Sequence, residues 1–150
     1  MTDFNGSKIV GHKEGGYYIT VQIRSDGSGS KGDIGIMRIP ESNVPPVLGR
    51  GVPKPQNTIV INDIQYPDDA TPARTLALGN SLSLQQNVSY YREQLQSGGW
   101  KPAGMDTCRQ GADSCVMEYE LGSRKMTLAL ANEGRRTHVV INMLGDGVIP

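Results

Sequence analysis

The sequence predicts an α+β fold: one amphipathic helix packed on a mainly antiparallel sheet, with an N-terminal β-hairpin ahead of it. Three observations carry this reading. Residues 80–100 hold the long stretch with a helical apolar period. The segments on either side alternate in polarity or are rich in β-branched and aromatic residues. Turns rich in glycine, proline, asparagine and aspartate separate them.

The helix is bounded at both ends by recognisable chemistry. Ser83 followed three residues later by Gln86 forms a capping box, in which each side chain satisfies a backbone N–H left orphaned at a helix start. Val88, Tyr91 and Leu95 fall on one stripe, and Gln85, Ser89, Arg92 and Gln96 lie mainly outside it. Gly98 and Gly99 can adopt the left-handed conformation that stops a helix, which sets Trp100 to fold back over the last turn. The helix is expected to run from near Ser83 to near Gly98. Val88, Tyr91, Leu95 and Trp100 are its expected core residues, each contributing about 1.5 to 3 kcal/mol if fully buried.

Strands are expected on both sides. Residues 17–24 and 33–39 read as a hairpin around a flexible glycine-rich loop, 25–32, and residues 58–64 and 73–79 precede the helix. Residues 115–121, 124–131 and 137–144 follow it, joined by hairpin loops. Met117, Tyr119 and Leu121 alternate with Glu118 and Glu120, so one sheet face is inward and the other meets water. At 150 residues the chain can bury roughly 70% of its unfolded surface, enough for one core. A single domain over 1–150 is expected, with a hairpin at about 16–40, a proline-rich connector at 41–57 and a helix-on-sheet core at 58–144. The connector reads as a surface crossover, partly polyproline-like.

Charge names no partner. Fifteen basic and fifteen acidic side chains cancel without a long run of either sign, which argues against nucleic-acid binding. No apolar run reaches the eighteen or so residues of a membrane span, so a membrane enters the reading only through an anchor removed from ahead of Met1. Cys108 and Cys115 flank Arg-Gln-Gly-Ala-Asp-Ser, whose turn-forming composition favours a local disulfide, and with it an oxidising compartment, over two free thiols in a reducing one. Zinc is disfavoured, because His12 and His138 stand at no finger-like spacing to the cysteines.

Candidate chemistry is sparse. The 25–32 loop lacks the Lys-Ser or Lys-Thr and following helix of a phosphate loop. As a calcium loop built on Asp26, Ser28, Ser30 and Asp33 it lacks the central glycine and the closing glutamate. Asp63, Asp68 and Asp69 could pair as acid and base, but Pro67 and Pro72 make a turn the simpler reading. His138 reads as a surface or edge histidine. Asn87-Val88-Ser89 matches a glycosylation acceptor, yet it falls inside the helix. No catalytic residue, cofactor or metal is expected.

The run Ala73-Arg-Thr-Leu-Ala-Leu-Gly-Asn80, then Tyr90-Tyr-Arg-Glu-Gln-Leu95 and Gly99-Trp100, resembles a pattern in small bacterial periplasmic or lipoprotein-type envelope domains. Val52-Pro-Lys-Pro55 is similar to the proline-rich lead of that group, so the resemblance covers about 52–144. It implies a periplasmic or outer-membrane-anchored domain, non-enzymatic, with a protein partner in the cell envelope and sometimes an accessory role in secretion or pilus assembly. The competing expectation is a small enzyme or ligand carrier. Its pocket would lie between the helix and the loop at 40–56, near Tyr66, Tyr90 and Tyr91.

Overall fold

The computed structural model describes residues 2–4, 6–39 and 47–148. Among them lie ten strands and one helix, and the α+β expectation holds. The chain divides into two compact units, Met1–Pro46 and Val47–Pro150, where its length had suggested one domain.

The first unit is a four-stranded antiparallel meander of β1 (Thr2–Phe4), β2 (Ser7–Glu14), β3 (Tyr17–Asp26) and β4 (Gly29–Arg38). It is more than the expected hairpin, because Gly11, His12 and Lys13 interrupt the apolar pattern that would have announced β2. Gly15 and Gly16, at φ 53° and 83°, supply the two positive values that a tight turn between twisted strands requires. The expected flexible loop is also shorter than the composition suggested. Pairing continues through Ser25↔Ser30 and Asp26↔Gly29, which leaves Gly27 and Ser28 as the turn. Ser30 and Asp33 therefore lie along a strand instead of around a calcium loop.

The second unit is a six-stranded sheet in the order β5-β6-β10-β9-β8-β7. Its strands are β5 (Ile59–Tyr66), β6 (Ala73–Asn80), β7 (Lys101–Asp106), β8 (Ser114–Leu121), β9 (Arg124–Glu133) and β10 (Arg136–Leu144), all joined by antiparallel ladders. Helix α1 (Leu84–Ser97) covers one face. Five of these strands match the segments expected from alternation to within two residues at each end. The exception, β7, contains Pro102 and Gly104, and both are tolerated because β7 is an edge with an interrupted register.

The capping box forms in full: Ser83 Oγ accepts from the Gln86 N–H at 3.1 Å, and Gln86 Oε1 accepts from the Ser83 N–H at 2.9 Å. At the other end only Gly99 is left-handed, at φ 81°, and the Trp100 N–H closes the helix by donating to the Leu95 carbonyl. Leu84, Val88, Tyr91 and Leu95 are buried against Leu76, Leu78, Met117, Leu128, Leu130, Val139 and Ile141, and Trp100 is partly buried at the margin. The opposite face carries Glu118, Lys125, Thr127, His138 and Asn142, as the register requires.

Residues 41–46 of the expected connector lie outside the described residues. Residues 47–56 are no loose surface crossover, since Val52 is buried in the core and Gly49 and Lys54 are hydrogen-bonded to the rest of the unit or to each other.

Candidate functional site

The residues that sequence chemistry singled out turn out to be dispersed. Asp63 does not pair with Asp68 or Asp69. It faces Arg74 across the β5–β6 ladder, where Arg74 Nε donates to Oδ1 at 2.8 Å and Nη2 to Oδ2 at 2.7 Å. Both side chains are nearly sealed, at 2% and 3% exposure. The Gly49 N–H also donates to Asp63, and Arg74 Nη1 donates to the carbonyls of Arg50 and Val148. The Arg74 hydrogen bond is the main reason the Asp63 carboxyl titrates below its ordinary range; burial acts against it. Held as a carboxylate by its neighbours, Asp63 is a poor proton donor, and with Arg74 it clamps the backbone at residues 49–50 and 148.

His138 lies near one end of an interior strand, on the open face, 3.2 Å from Glu133. It forms an exposed ion pair when protonated and is hydrogen-bonded to no nucleophilic side chain among the described residues. Asn87 is fully buried and exchanges amide hydrogen bonds with Asn80, at 2.8 and 3.0 Å, while its Nδ2 also donates to the carbonyls of Leu82 and Ser83. No glycosyl group can reach it in the folded chain. This buried polar cluster extends to Thr137, whose hydroxyl bridges Leu82 and Asn132.

The two cysteines are bridged, with their Cα atoms 4.8 Å apart. The bridged loop is tied to the helix through Arg92, which donates to Asp106 at 2.8 Å and to the Cys108 carbonyl. Burial pulls the Asp106 carboxyl upward, but the Cys108 N–H and Arg92 together outweigh it and hold it low. Thus within the Tyr-Tyr-Arg-x-x-Leu run, Tyr91 and Leu95 are core and Arg92 is a tether. The Tyr91 hydroxyl is buried without a hydrogen-bond partner among the described residues, and that burial raises its pKa well above the ordinary tyrosine value.

Two features do have the form of sites. One is a cavity of about 150 Å³ lined by residues 50–53, Arg74, Trp100, Arg124, Met126, Met143 and residues 147–148. It lies beside part of the loop expected to bound a pocket, but Tyr66, Tyr90 and Tyr91 do not line it. Tyr66 stands exposed on the edge strand β5, Tyr90 is half-buried beside the Lys54 backbone, and Tyr91 is in the core. The Arg124 guanidinium stacks over the Trp100 ring, 5.5 Å from its centroid.

The other is one face of the N-terminal sheet. Cross-strand register aligns Val10 with Val21 and Ile34, His12 with Ile19 and Ile36, and Lys8 with Ile23 and Gly32. Since side chains alternate, Val10, Tyr17, Ile19, Val21, Ile23, Ile34 and Ile36 share a face, with Lys8, His12, Glu14 and Arg38 as the charged or polar positions on it. The reverse face is mainly polar, with Gln22, Arg24, Lys31 and Asp33. Ile34 and Ile36 are 70% and 67% exposed, and none of the other apolar side chains on that face is buried. The signal for this face was partly legible in 17–24, but without β2 there was no sheet to which to assign it.

No helix among the described residues is long and apolar enough to cross a membrane. No protein-family model matches the chain, and no curated protein or solved structure matches it.

Proposed function

We propose that the protein is a non-enzymatic binding or assembly module of the bacterial cell envelope that holds a protein partner on its N-terminal sheet. The observation that carries this reading is the one-sided apolar face with β4 at its rim. A sheet with one apolar face is stable when a second layer covers it. Because β1 has only three residues, the face is that of β2, β3 and β4: three strands spaced by about 4.8 Å and eight residues rising about 3.3 Å each give roughly 400 Å², within the range of patches that are often functional. Covering it would bury roughly 800 Å² in total, below the standard size of specific interfaces and in the range of weak, transient ones, which suits a reversible partner.

The chemistry of the occupant follows from the edge. β4 is ten residues long and has no neighbour on its outer side among the described residues, so its outward backbone groups form a template for another strand. A partner that adds a strand satisfies those groups, and aliphatic side chains that it lays over the face cover Ile34 and Ile36. The disulfide is compatible with an oxidising compartment. The envelope assignment, including a periplasmic or lipid-anchored location and an accessory role in secretion or pilus assembly, rests on the resemblance of residues 52–144.

The test is affinity capture from native envelope extracts with three forms of the chain: wild type, Ile34→Ser/Ile36→Ser, and the reverse-face pair Lys31→Ser/Asp33→Ser. A partner retained by the first and third and lost by the second is expected. Retention by all three overturns the assignment to this face. A stable dimer of the purified chain, broken by Ile34→Ser/Ile36→Ser, would identify a second copy as the occupant and overturn the separate-partner reading.

A further inference from the structure

We propose that the cavity beside Trp100 binds a small organic carboxylate with an apolar body about the size of a benzene ring. Its volume is about 150 Å³. An apolar protein cavity of about that size accommodates benzene. Here the apolar lining comes from Val52, Met126, Met143 and Val148, all of them buried core residues, and from the Trp100 ring.

The charge of the ligand follows from the arginines. Arg50, Arg74 and Arg124 all line the cavity, and among the described residues no aspartate or glutamate does. Arg74 is neutralised by Asp63, and Nη1 donates to two backbone carbonyls, so it contributes wall and little net charge. Arg50 and Arg124 form no ion pair among the described residues. The Arg124 guanidinium carbon lies 5.5 Å from the Trp100 ring centroid, within cation–π range, and no hydrogen bond or ion pair among the described residues occupies its N–H donors, so they remain for a carboxylate. Two uncompensated cations at the margin of a ring-sized apolar space select an anion with an apolar body over a neutral ring and over a bare anion.

The chain has a single tryptophan, so its fluorescence reports on this site. Sodium benzoate is the probe, compared with benzamide, which has the shape without the charge, and with acetate, which has the charge without the body, all at matched ionic strength. Saturable change in Trp100 emission is expected with benzoate, at least about tenfold tighter than with either control. Because Arg124→Gln alters the environment of the tryptophan, binding to variants is followed by the methyl resonances of Met126 and Met143. Arg50→Gln and Arg124→Gln are each expected to weaken benzoate about tenfold while leaving benzamide unchanged. Arg50 is exposed on its loop, so its variant keeps the fold and the comparison stands even if Arg124→Gln does not. Absence of saturation by benzoate, equal binding of benzamide, or indifference to both substitutions overturns the proposal.

Discussion

Arg74 and Asp63 meet in a two-pronged ion pair that is almost closed to solvent, and the same two side chains hold the backbone at Gly49, Arg50 and Val148. Removing either partner leaves a buried charge without compensation. Asp63→Asn or Arg74→Met is expected to cost about 3 to 5 kcal/mol, whereas Asp63→Leu/Arg74→Met should recover much of that loss. Urea unfolding of the four forms measures it, and a double variant no better than the worse single one would contradict the argument.

The same pair gives a pH dependence of defined sign. The folded-state pKa of Asp63 is lowered from the ordinary 3.8, chiefly by the Arg74 hydrogen bond, so its contribution is present in full above the unfolded value. It is lost as pH falls through the folded value. Asp106 is shifted the same way and adds to the trend. Stability should therefore decline below about pH 4. The decline should be shallower in Asp63→Asn, as followed by the urea midpoint at successive pH values; an identical slope would remove Asp63 from the account.

Reduction of Cys108–Cys115 opens a short loop, separation 7; both cysteines belong to the buried core, but residues 109–114 between them contribute nothing to it. The chain-entropy model gives a loss of about 2 to 3 kcal/mol. Reduced protein should keep its near-ultraviolet signal from Trp100 and unfold at a lower midpoint. Two alkylatable thiols in material prepared from its native compartment without reductant would remove the bridge and the oxidising compartment together.

Tyr91 is packed edge-on against Tyr90 at 5.3 Å, with its hydroxyl lacking a partner among the described residues. Tyr91→Phe keeps the ring and removes the unsatisfied group. An increase in stability of about 1 kcal/mol is expected from denaturant unfolding. A loss of similar size would mean that the hydroxyl is hydrogen-bonded in solution.

Local patterns were legible where one residue's role is set by its near neighbours. Ser83 and Gln86 define the helix start three residues apart, and Met117 and Tyr119 alternate with glutamates, so both elements could be read directly. What could not be read depends on pairing across long separations. Asp63 and Arg74 lie eleven residues apart, and only the β5–β6 register brings them together; Asn87 was set aside as a sugar acceptor because it falls inside the helix, but its buried pairing with Asn80 beside Thr137 could not be read. β2 and β7 failed for a related reason. Glycine, proline and charged residues disguise strands whose ladders are set by their neighbours. The cavity draws on residues from 50 to 148, a convergence that no window of sequence contains.

The central claim is that Ile34 and Ile36 face a protein partner. Its most direct test is a photo-crosslinking amino acid placed at position 36 or, on the reverse face of the same strand, at position 33, in the full chain expressed in its native cells. The account predicts a discrete protein adduct from position 36 and none from position 33. Adducts of equal yield from both positions, or none from position 36, would contradict it.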